Sequence, residues 1–199
     1  MSCNRGPRVK QMRAVGTDLP GLSRKNISRK PFPPGLQEGQ FRKKKSDYGT
    51  QLLEKQKLRF NYGVSEKYLR RLVHKAFRSK ENSGYKLVEM LESRLDNVVF
   101  KAGYAPTISA ARQLITHKHV LVDGKRVNIP SYQTKTGQSI STTEKAAKLD
   151  IVKNSLEQPA FVRPAWLSFD KESDKTKVIT SPDRDSLGFS LEVPLIVEF

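Results

Sequence analysis

Cysteine is nearly absent from the sequence, which contains only Cys3 among its 199 residues. One cysteine cannot form a disulfide framework within the chain, nor a zinc site built on several thiolates. Long apolar runs are also missing, since no stretch approaches the roughly 20 apolar residues that a membrane-spanning helix needs. These absences favour a reducing compartment and argue against a disulfide-stabilised or membrane-spanning protein.

Acidic residues are scarce in the first 80 positions, which hold 21 Lys and Arg but only 5 Asp and Glu. The whole chain has a formal net charge of +17, with 36% hydrophobic residues for a core. The electrostatic field of so basic a chain attracts polyanions, and each phosphate that it neutralises releases counterions. The affinity for a polyanion should therefore fall as the salt concentration rises. Nucleic acid is the favoured partner. An anionic membrane is the weaker alternative, because the basic residues lie among Pro and Gly instead of along one amphipathic face.

The basic N-terminal segment, residues 1–45, is punctuated by Gly and Pro and shows little hydrophobic periodicity. We expect it to be extended, and to become ordered only on a partner. Two helices should follow. The first is capped by Ser46 or Asp47 and ends at Tyr62-Gly63, and the second opens at Ser65 with one apolar stripe and one basic face.

The remaining sequence predicts two further helices and a sheet. A third helix should run from Lys86 to Ala102, and a fourth should be capped by Ser109. Val120 to Ile129 predicts a hairpin, because Asp123-Gly124 accepts the positive φ angles of a tight turn. We also expect a helical region at 144–157, and strands at 139–141, 166–169, 177–180 and 189–193.

The triplet Arg94-Leu95-Asp96 raises an enzymatic alternative, because it also occurs around the catalytic aspartate of pseudouridine synthases. Here it lies before Asn97-Val98-Val99 without a Gly-rich continuation, and little chain is left for a catalytic domain. Arg94 is better interpreted as packing its stem on the apolar stripe while its head meets Asp96, a backbone carbonyl or a phosphate. His117 and His119 lack a third ligand nearby, so the sequence predicts no metal site and no cofactor.

Eight short motifs are distributed along nearly the whole chain: RGPR (5–8), LPGL (19–22), SDYG (46–49), EKQKLRFNYG (54–63), RLDNVV (94–99), ARQLI (111–115), HK (117–118) and PSY (130–132). Together they resemble the bacterial and chloroplast ribosomal protein S4 family. The resemblance is strongest between residues 91 and 132, where the motifs look like the small RNA-binding module named after this family. The same module is appended to tRNA synthetases, pseudouridine synthases and a heat-shock ribosome-binding protein, so the flanking segments matter.

The resemblance implies a structural constituent of the small ribosomal subunit that is not an enzyme. Such a protein is a primary binder of the 5′ domain of small-subunit rRNA, nucleates assembly, borders the channel where mRNA enters, and influences decoding accuracy. Its implied protein partners are ribosomal protein S5 and, in addition, S3. An RNA-modifying enzyme of the pseudouridine synthase type, or a stress-related ribosome-binding protein, remains the alternative.

Carried over residue by residue, the resemblance implies rRNA contacts in the module and in the basic segments. The implied rRNA-binding residues are Arg94, Asp96, Asn97, Ser109, Arg112, Gln113, His117, Lys118, Arg5, Arg8, Lys55, Lys57 and Arg59. Arg42, Lys43, Lys44 and Lys45 form the implied basic run near incoming mRNA. The acidic end after Asp170 would contact a neighbouring protein.

The expected fold is α+β, in which a helix-helix-antiparallel-sheet RNA-binding module is inserted into a helical domain that follows an extended basic N-terminus. We expect the extension at 1–45, the helical domain at 46–90 joined by 186–199, and the module with its following sheet at 91–185. The expected location is the ribosome of a bacterium, in its cytoplasm, or of a chloroplast stroma if the gene is plastid-encoded.

Overall fold

The computed structural model describes residues 6–35, 46–159, 162–170, 173–182 and 187–197. These residues divide into two compact units: one holds the residues up to Leu87 together with those from Phe189 on, and the other is Val88–Gly188. Helices and an antiparallel sheet occur together, which confirms the α+β class. No helix in the described ranges is long and apolar enough to cross a membrane.

The first unit is helical, and two of its helices begin where the sequence predicts. The Ser46 hydroxyl accepts a hydrogen bond from the Gly49 N–H, and the Ser65 hydroxyl accepts one from the Tyr68 N–H. Both bonds satisfy N–H groups that a helix start leaves unpaired. The helices are α1 (Arg8–Val15), α2 (Asp47–Tyr62), α3 (Glu66–Phe77), α4 (Ser83–Glu92), which contains the boundary between the units, and α9 (Val193–Val197).

The N-terminal segment contains packed structure that the sequence analysis did not predict. Helix α1 ends at Gly16, whose φ of 73° suits a left-handed helix cap. Its apolar residues form a buried cluster with the turn that follows, and Leu53 and Phe60 of α2 pack against that cluster. The expectation of a segment without packed structure is therefore wrong for residues 6–35. The buried residues are Met12, Val15, Leu19 and Leu22.

The C-terminal segment of the first unit also differs from the prediction. Residues 189–193 form no strand, and the short helix α9 begins at Val193. The ring of Phe189 lies 6.5 Å from the ring of Tyr62, and the Glu192 N–H donates to the Glu54 carboxylate at 3.1 Å. The alternating apolar residues at 189–193 therefore pack against α2 and do not pair as a strand.

The second unit combines α5 (Leu95–Lys101) and α6 (Ile108–Thr116) with an antiparallel sheet. In the described residues the strand order is β2-β1-β3-β5-β4. Leu121 pairs with Ser141 between β1 and β3, and Ile140 pairs with Thr176 between β3 and β5. The remaining elements are β1 (Val120–Val122), β2 (Lys125–Arg126), β3 (Ser139–Thr142), α7 (Glu144–Ala147), α8 (Asp150–Glu157), β4 (Leu167–Asp170) and β5 (Lys175–Val178).

The predicted hairpin is confirmed, and Asp123 does more than form its turn. Asp123 and Gly124 both have positive φ, at 48° and 75°, as a type I′ turn requires. The Asp123 carboxylate accepts hydrogen bonds from the N–H and the hydroxyl of Ser139 and from the Gln138 amide. The Ser139 N–H bond in particular lowers the pKa of Asp123 below its ordinary value. The turn is thereby fixed to the start of β3.

The predicted single helix from Lys86 to Ala102 is in fact two helices with a break at Ser93 and Arg94. Arg94 is extended, with φ of −68° and ψ of 137°, and bridges to Gln133. The N–H of Leu95 donates to the Tyr132 carbonyl at 2.8 Å, and the N–H of Asp96 donates to the Pro130 carbonyl. The segment after the hairpin therefore supplies the partners of the first N–H groups of α5. Hydrophobic periodicity could not reveal this break, because apolar residues continue across it.

Tyr104 links the segment after α5 to the sheet. Its side chain is fully buried, and its hydroxyl donates to the Asp174 carbonyl at 2.8 Å while accepting from the Thr176 hydroxyl at 3.1 Å. Burial disfavours the charged phenolate and raises the pKa of Tyr104 to about 12. The neutral hydroxyl is thus part of the packing of β5.

Replacing Tyr104 with Phe should lower the free energy of unfolding by about 1 to 3 kcal/mol, because the buried Thr176 hydroxyl and the Asp174 carbonyl lose their hydrogen-bond partner. Between pH 10 and pH 12 the unfolded wild type loses the Tyr104 proton before the folded protein does. Wild-type stability therefore falls with rising pH, and its advantage over Tyr104→Phe shrinks by an amount on the order of 2 kcal/mol.

Urea unfolding at pH 8, 10 and 11.5 measures both effects. The control is Tyr48→Phe, because Tyr48 is 64% exposed, and its stability should follow that of the wild type at each pH. An advantage over Tyr104→Phe that is constant from pH 8 to 11.5 would contradict the pH effect.

Candidate RNA-binding site

A buried carboxylate joins α5 to α6. Asp96 is 1% exposed, and its two oxygens accept from Arg94 Nε at 3.0 Å and Arg94 Nη2 at 2.7 Å. Arg112 of α6 donates from Nε to the same carboxylate at 2.7 Å, and the Asn97 N–H donates to it at 3.0 Å. Bidentate and charge-assisted bonds of this kind are strong and fix geometry. Of the three partners left open for the Arg94 guanidinium, the structure shows Asp96, which also fixes the Arg112 side chain.

A second buried polar cluster holds the start of α5 against the end of α4. The Asn97 amide donates to the Glu92 carbonyl at 3.0 Å and to the Glu92 carboxylate at 2.8 Å. The same carboxylate pairs with the ammonium group of Lys101. Burial lowers the pKa of Lys101, although the charge of Glu92 opposes this. Asn97 therefore uses its amide nitrogen within the protein.

The outward side of α6 carries exposed polar and cationic residues. Thr107, and not Ser109 as predicted, caps this helix, because its hydroxyl accepts from the Ala110 N–H at 3.3 Å. Ser109 is instead an exposed residue in the first turn of α6. Lys118 follows the helix with a φ of 62°, which turns the chain toward β1. We call Ser109, Gln113, His117 and Lys118 the α6 outer face, since all four are exposed.

Arg112 lies at the edge of the α6 outer face, between the buried cluster and the surface. Its side chain is 23% exposed and donates to Asp96, so part of its hydrogen-bonding capacity is used within the protein. Arg94 and Arg112 both pair with the Asp96 carboxylate. An anion approaching the α6 outer face can meet the partly exposed Arg112 side chain in addition to Lys118.

The sequence-predicted residues of the first unit are more dispersed. Arg8 is exposed at the start of α1, whereas Lys55 is nearly buried and pairs with Glu66 at 3.1 Å. Arg59 pairs with the same carboxylate at 3.2 Å, and Lys57 pairs with Glu54. Three of these cations are thus engaged within the helical unit. Arg5 and the basic run at 42–45 lie outside the described residues.

His117 and His119 come near each other but do not form a metal centre. Their ring centroids are 6.1 Å apart. Throughout the described ranges, no group of three or more His, Cys, Asp or Glu residues is placed to hold a metal ion. Both rings flank the end of α6, next to Lys118, where a ring N–H can donate a hydrogen bond to an anion.

Comparisons with known proteins match two consecutive parts of the chain. Residues 3–92 match the family described as the ribosomal protein S4/S9 N-terminal domain, and residues 93–140 match the S4 domain. The small ribosomal subunit protein uS4 of Methylobacillus flagellatus is 52% identical over the whole chain and 98% of its own length. The uS4B protein of Nitrosomonas europaea is 50% identical, and the uS4 protein of a Nostoc species is 47% identical, with the same coverage. The chain therefore belongs to the small ribosomal subunit protein uS4 family.

Proposed function

We propose that this protein is a structural component of the small ribosomal subunit and binds small-subunit rRNA through the α6 outer face. The observation that carries the proposal is the exposure of Ser109, Gln113, His117 and Lys118 along α6 and its C-terminal end, on a helix that the Arg112–Asp96 bond fixes to α5. The S4 domain match covers this region. The membership of its relatives in the small subunit supports the assignment of the partner.

The chemistry of the α6 outer face suits an RNA backbone with unpaired or looped regions. The Lys118 ammonium meets phosphates, and the Ser109 hydroxyl and Gln113 amide can bond to phosphate oxygens, 2′-hydroxyls or base edges. His117 adds a ring that stacks or donates. Rigid support matters, because RNA contacts cost less ordering free energy when the side chains already stand on fixed helices.

The three buried members of the predicted site have a supporting role in this proposal. Arg94, Asp96 and Asn97 are at most 4% exposed and bond to one another or to neighbouring groups within the unit. Asp96 positions Arg112, and Arg94 keeps the Asp96 carboxylate paired. We therefore infer that Asp96 is a positioning residue for RNA binding instead of a direct contact.

The finer assignments rest on the family. We propose that the chain binds the 5′ domain of small-subunit rRNA early in assembly, and that Arg42 to Lys45 face mRNA where it enters the subunit. The acidic C-terminal part would meet ribosomal protein S5, with S3 as a further neighbour, and these contacts would affect decoding accuracy. The protein would act within the ribosome of a bacterium, or of a chloroplast if plastid-encoded.

An enzymatic role has less support than a structural one. A nucleophilic aspartate must reach its substrate, whereas both oxygens of Asp96 accept hydrogen bonds and the side chain is 1% exposed. We propose that the protein is not an enzyme. Neither the wild type nor Asp96→Asn should then produce a modified nucleotide when incubated with small-subunit rRNA, as measured by nucleoside mass spectrometry.

Lys118→Gln should weaken binding to a transcript of the rRNA 5′ domain and reduce the slope of log affinity against log salt by less than about one. Gln113→Ala should weaken binding by about 1 kcal/mol without changing the slope, because a neutral amide releases no counterion. Filter binding across a series of KCl concentrations measures both. Lys153→Gln, at an exposed position of α8 in the same unit, is the control, and equal effects in all three variants would contradict the assigned face.

Asp96→Asn should lower the free energy of unfolding by about 3 kcal/mol, because the paired arginines lose a buried negative charge. For protein that remains folded, rRNA affinity should also fall, since Arg112 loses its positioning bond. In a double-mutant cycle with Arg112→Ala, the coupling in binding should reach about 1 kcal/mol. Asp150→Asn at the exposed start of α8 is the control, and additive effects of Asp96→Asn and Arg112→Ala would exclude the positioning role.

A further inference from the structure

The sequence around the start of α5 does not by itself break a helix. Residues 85–101 contain neither proline nor glycine, and the leucine, glutamate, methionine and lysine residues of this stretch favour a helix. Arg94 is the extended residue at the break. Its φ of −68° is also that of an α-helix, but its ψ of 137° differs from the helical value by about 180°. Rotation about this one bond would bring Arg94 into a helical conformation.

The buried polar cluster of Glu92, Asn97 and Lys101, which we call the Glu92 cluster, contains an ion pair that requires the break. Glu92 and Lys101 are nine residues apart. A continuous helix would place them about 180° apart around its axis and about 13.5 Å apart along it. In the structure the two side chains pair, and both residues are at most 3% exposed. The ion pair is therefore incompatible with a continuous helix.

Asn97 occupies a hydrogen-bonding group that a continuous helix would use. In such a helix the Glu92 carbonyl would accept from the Asp96 N–H, four residues further on. In the structure that carbonyl accepts from the Asn97 amide at 3.0 Å, and the Asp96 N–H donates to the Pro130 carbonyl. The Asn97 amide also donates to the Glu92 carboxylate at 2.8 Å. Side-chain bonds thus replace a helical bond at the break.

A buried ion pair such as that of Glu92 and Lys101 is a poor source of net stability, because desolvation of both charges offsets much of their attraction. Apolar side chains of similar size are often equally stabilising in such a place. Apolar side chains can pack against either backbone, however, whereas this pair satisfies its two charges only when the helix is broken. The Glu92 cluster therefore stabilises the observed backbone relative to a continuous helix more than it raises the free energy of unfolding.

We propose that the Glu92 cluster is a conformational lock, which keeps Arg94 extended and excludes a continuous helix through α4 and α5. Glu92 and Lys101 are thereby positioning residues for RNA binding, a role that rests on the proposed function. The extended Arg94 pairs with Asp96, and Asp96 fixes Arg112 beside the α6 outer face. Because the lock populates the broken backbone before RNA arrives, none of the binding free energy goes into selecting it.

The test removes the ion pair from the full chain with Glu92→Met and Lys101→Met, which we call the pair variant. Methionine resembles glutamate and lysine in helix propensity, so the exchange removes the charges without favouring another backbone. The control is Glu81→Gln with Lys86→Gln, which also removes one charge of each sign, from a more exposed ion pair near the start of α4. Backbone chemical shifts of Arg94 measure the extended fraction, urea unfolding measures stability, and filter binding to the rRNA 5′-domain transcript measures affinity.

The pair variant should match or exceed the urea midpoint of the wild type, while the shifts of Arg94 move toward helical values. Its RNA affinity should fall by at least tenfold, and the loss should equal the reciprocal of the extended fraction, which is about one tenth for a tenfold loss. The salt slope should stay unchanged, because the exchange leaves the net charge unchanged. The control should match the wild type in every measurement.

Unchanged shifts of Arg94 in the pair variant would overturn the proposal. A large drop in the urea midpoint would also overturn it, because the pair would then be a stabilising contact and not a selector of the backbone. Helical shifts with wild-type RNA affinity would exclude the positioning role.

The proposed function is judged by separate results. If Lys118→Gln is impaired while the pair variant keeps wild-type shifts and affinity, the lock is excluded and the α6 outer face stands. If the wild type does not bind the transcript, the proposed function fails, whereas the shifts of Arg94 in the pair variant still decide whether the lock exists.

Discussion

The buried Asp96 carboxylate is the interaction on which the RNA-binding module depends. It lies at the start of α5, where its oxygens hold the Arg94 guanidinium from the break before the helix and the Arg112 side chain from α6. Removing one partner of such a buried cluster leaves an uncompensated charge at a cost of several kcal/mol. The pairing therefore fixes the angle and distance between two short helices whose intrinsic stability is low.

The break between α4 and α5 gives this carboxylate its position. A continuous helix would have directed Arg94 and Asp96 away from each other, since residues two apart on a helix point to different sides. The extended backbone of Arg94 instead lets its side chain return to Asp96. The carbonyls of Pro130 and Tyr132 accept from the first N–H groups of α5, so the segment after the hairpin holds the start of the helix that carries Asp96.

Local chemistry explains which parts of the fold the sequence predicts. Ser46, Ser65 and the Asp123-Gly124 turn act through bonds to residues a few positions away or through their own φ angles, and their elements are found as expected. The break at Arg94, the packing of α1 and the helical end at Val193 depend on partners far along the chain. Periodicity within one segment carries no information on such partners.

The candidate site likewise has some features that the sequence predicts and others that it does not. The resemblance of ARQLI and HK to a known module singles out Gln113, His117 and Lys118, and their exposure follows from the apolar residues on the other side of α6. The burial of Asp96 and Asn97 could not be derived, because a polar residue next to an apolar stripe is equally compatible with a solvated or an internally bonded position. Only the distances to Arg112 and Glu92 decide between them.

Net charge alone therefore identifies the class of partner but not the surface that binds it. Lys55, Arg59, Arg94 and Lys101 contribute to the formal charge of +17, yet each has a carboxylate within the protein. In these ion pairs the carboxylate neutralises the charge of the basic side chain, so the pair attracts a distant polyanion little. The pairs stabilise the fold instead. The long-range attraction therefore comes mainly from cations whose charge is not neutralised in this way. Acidic residues that pair internally thus determine which basic residues remain to meet RNA.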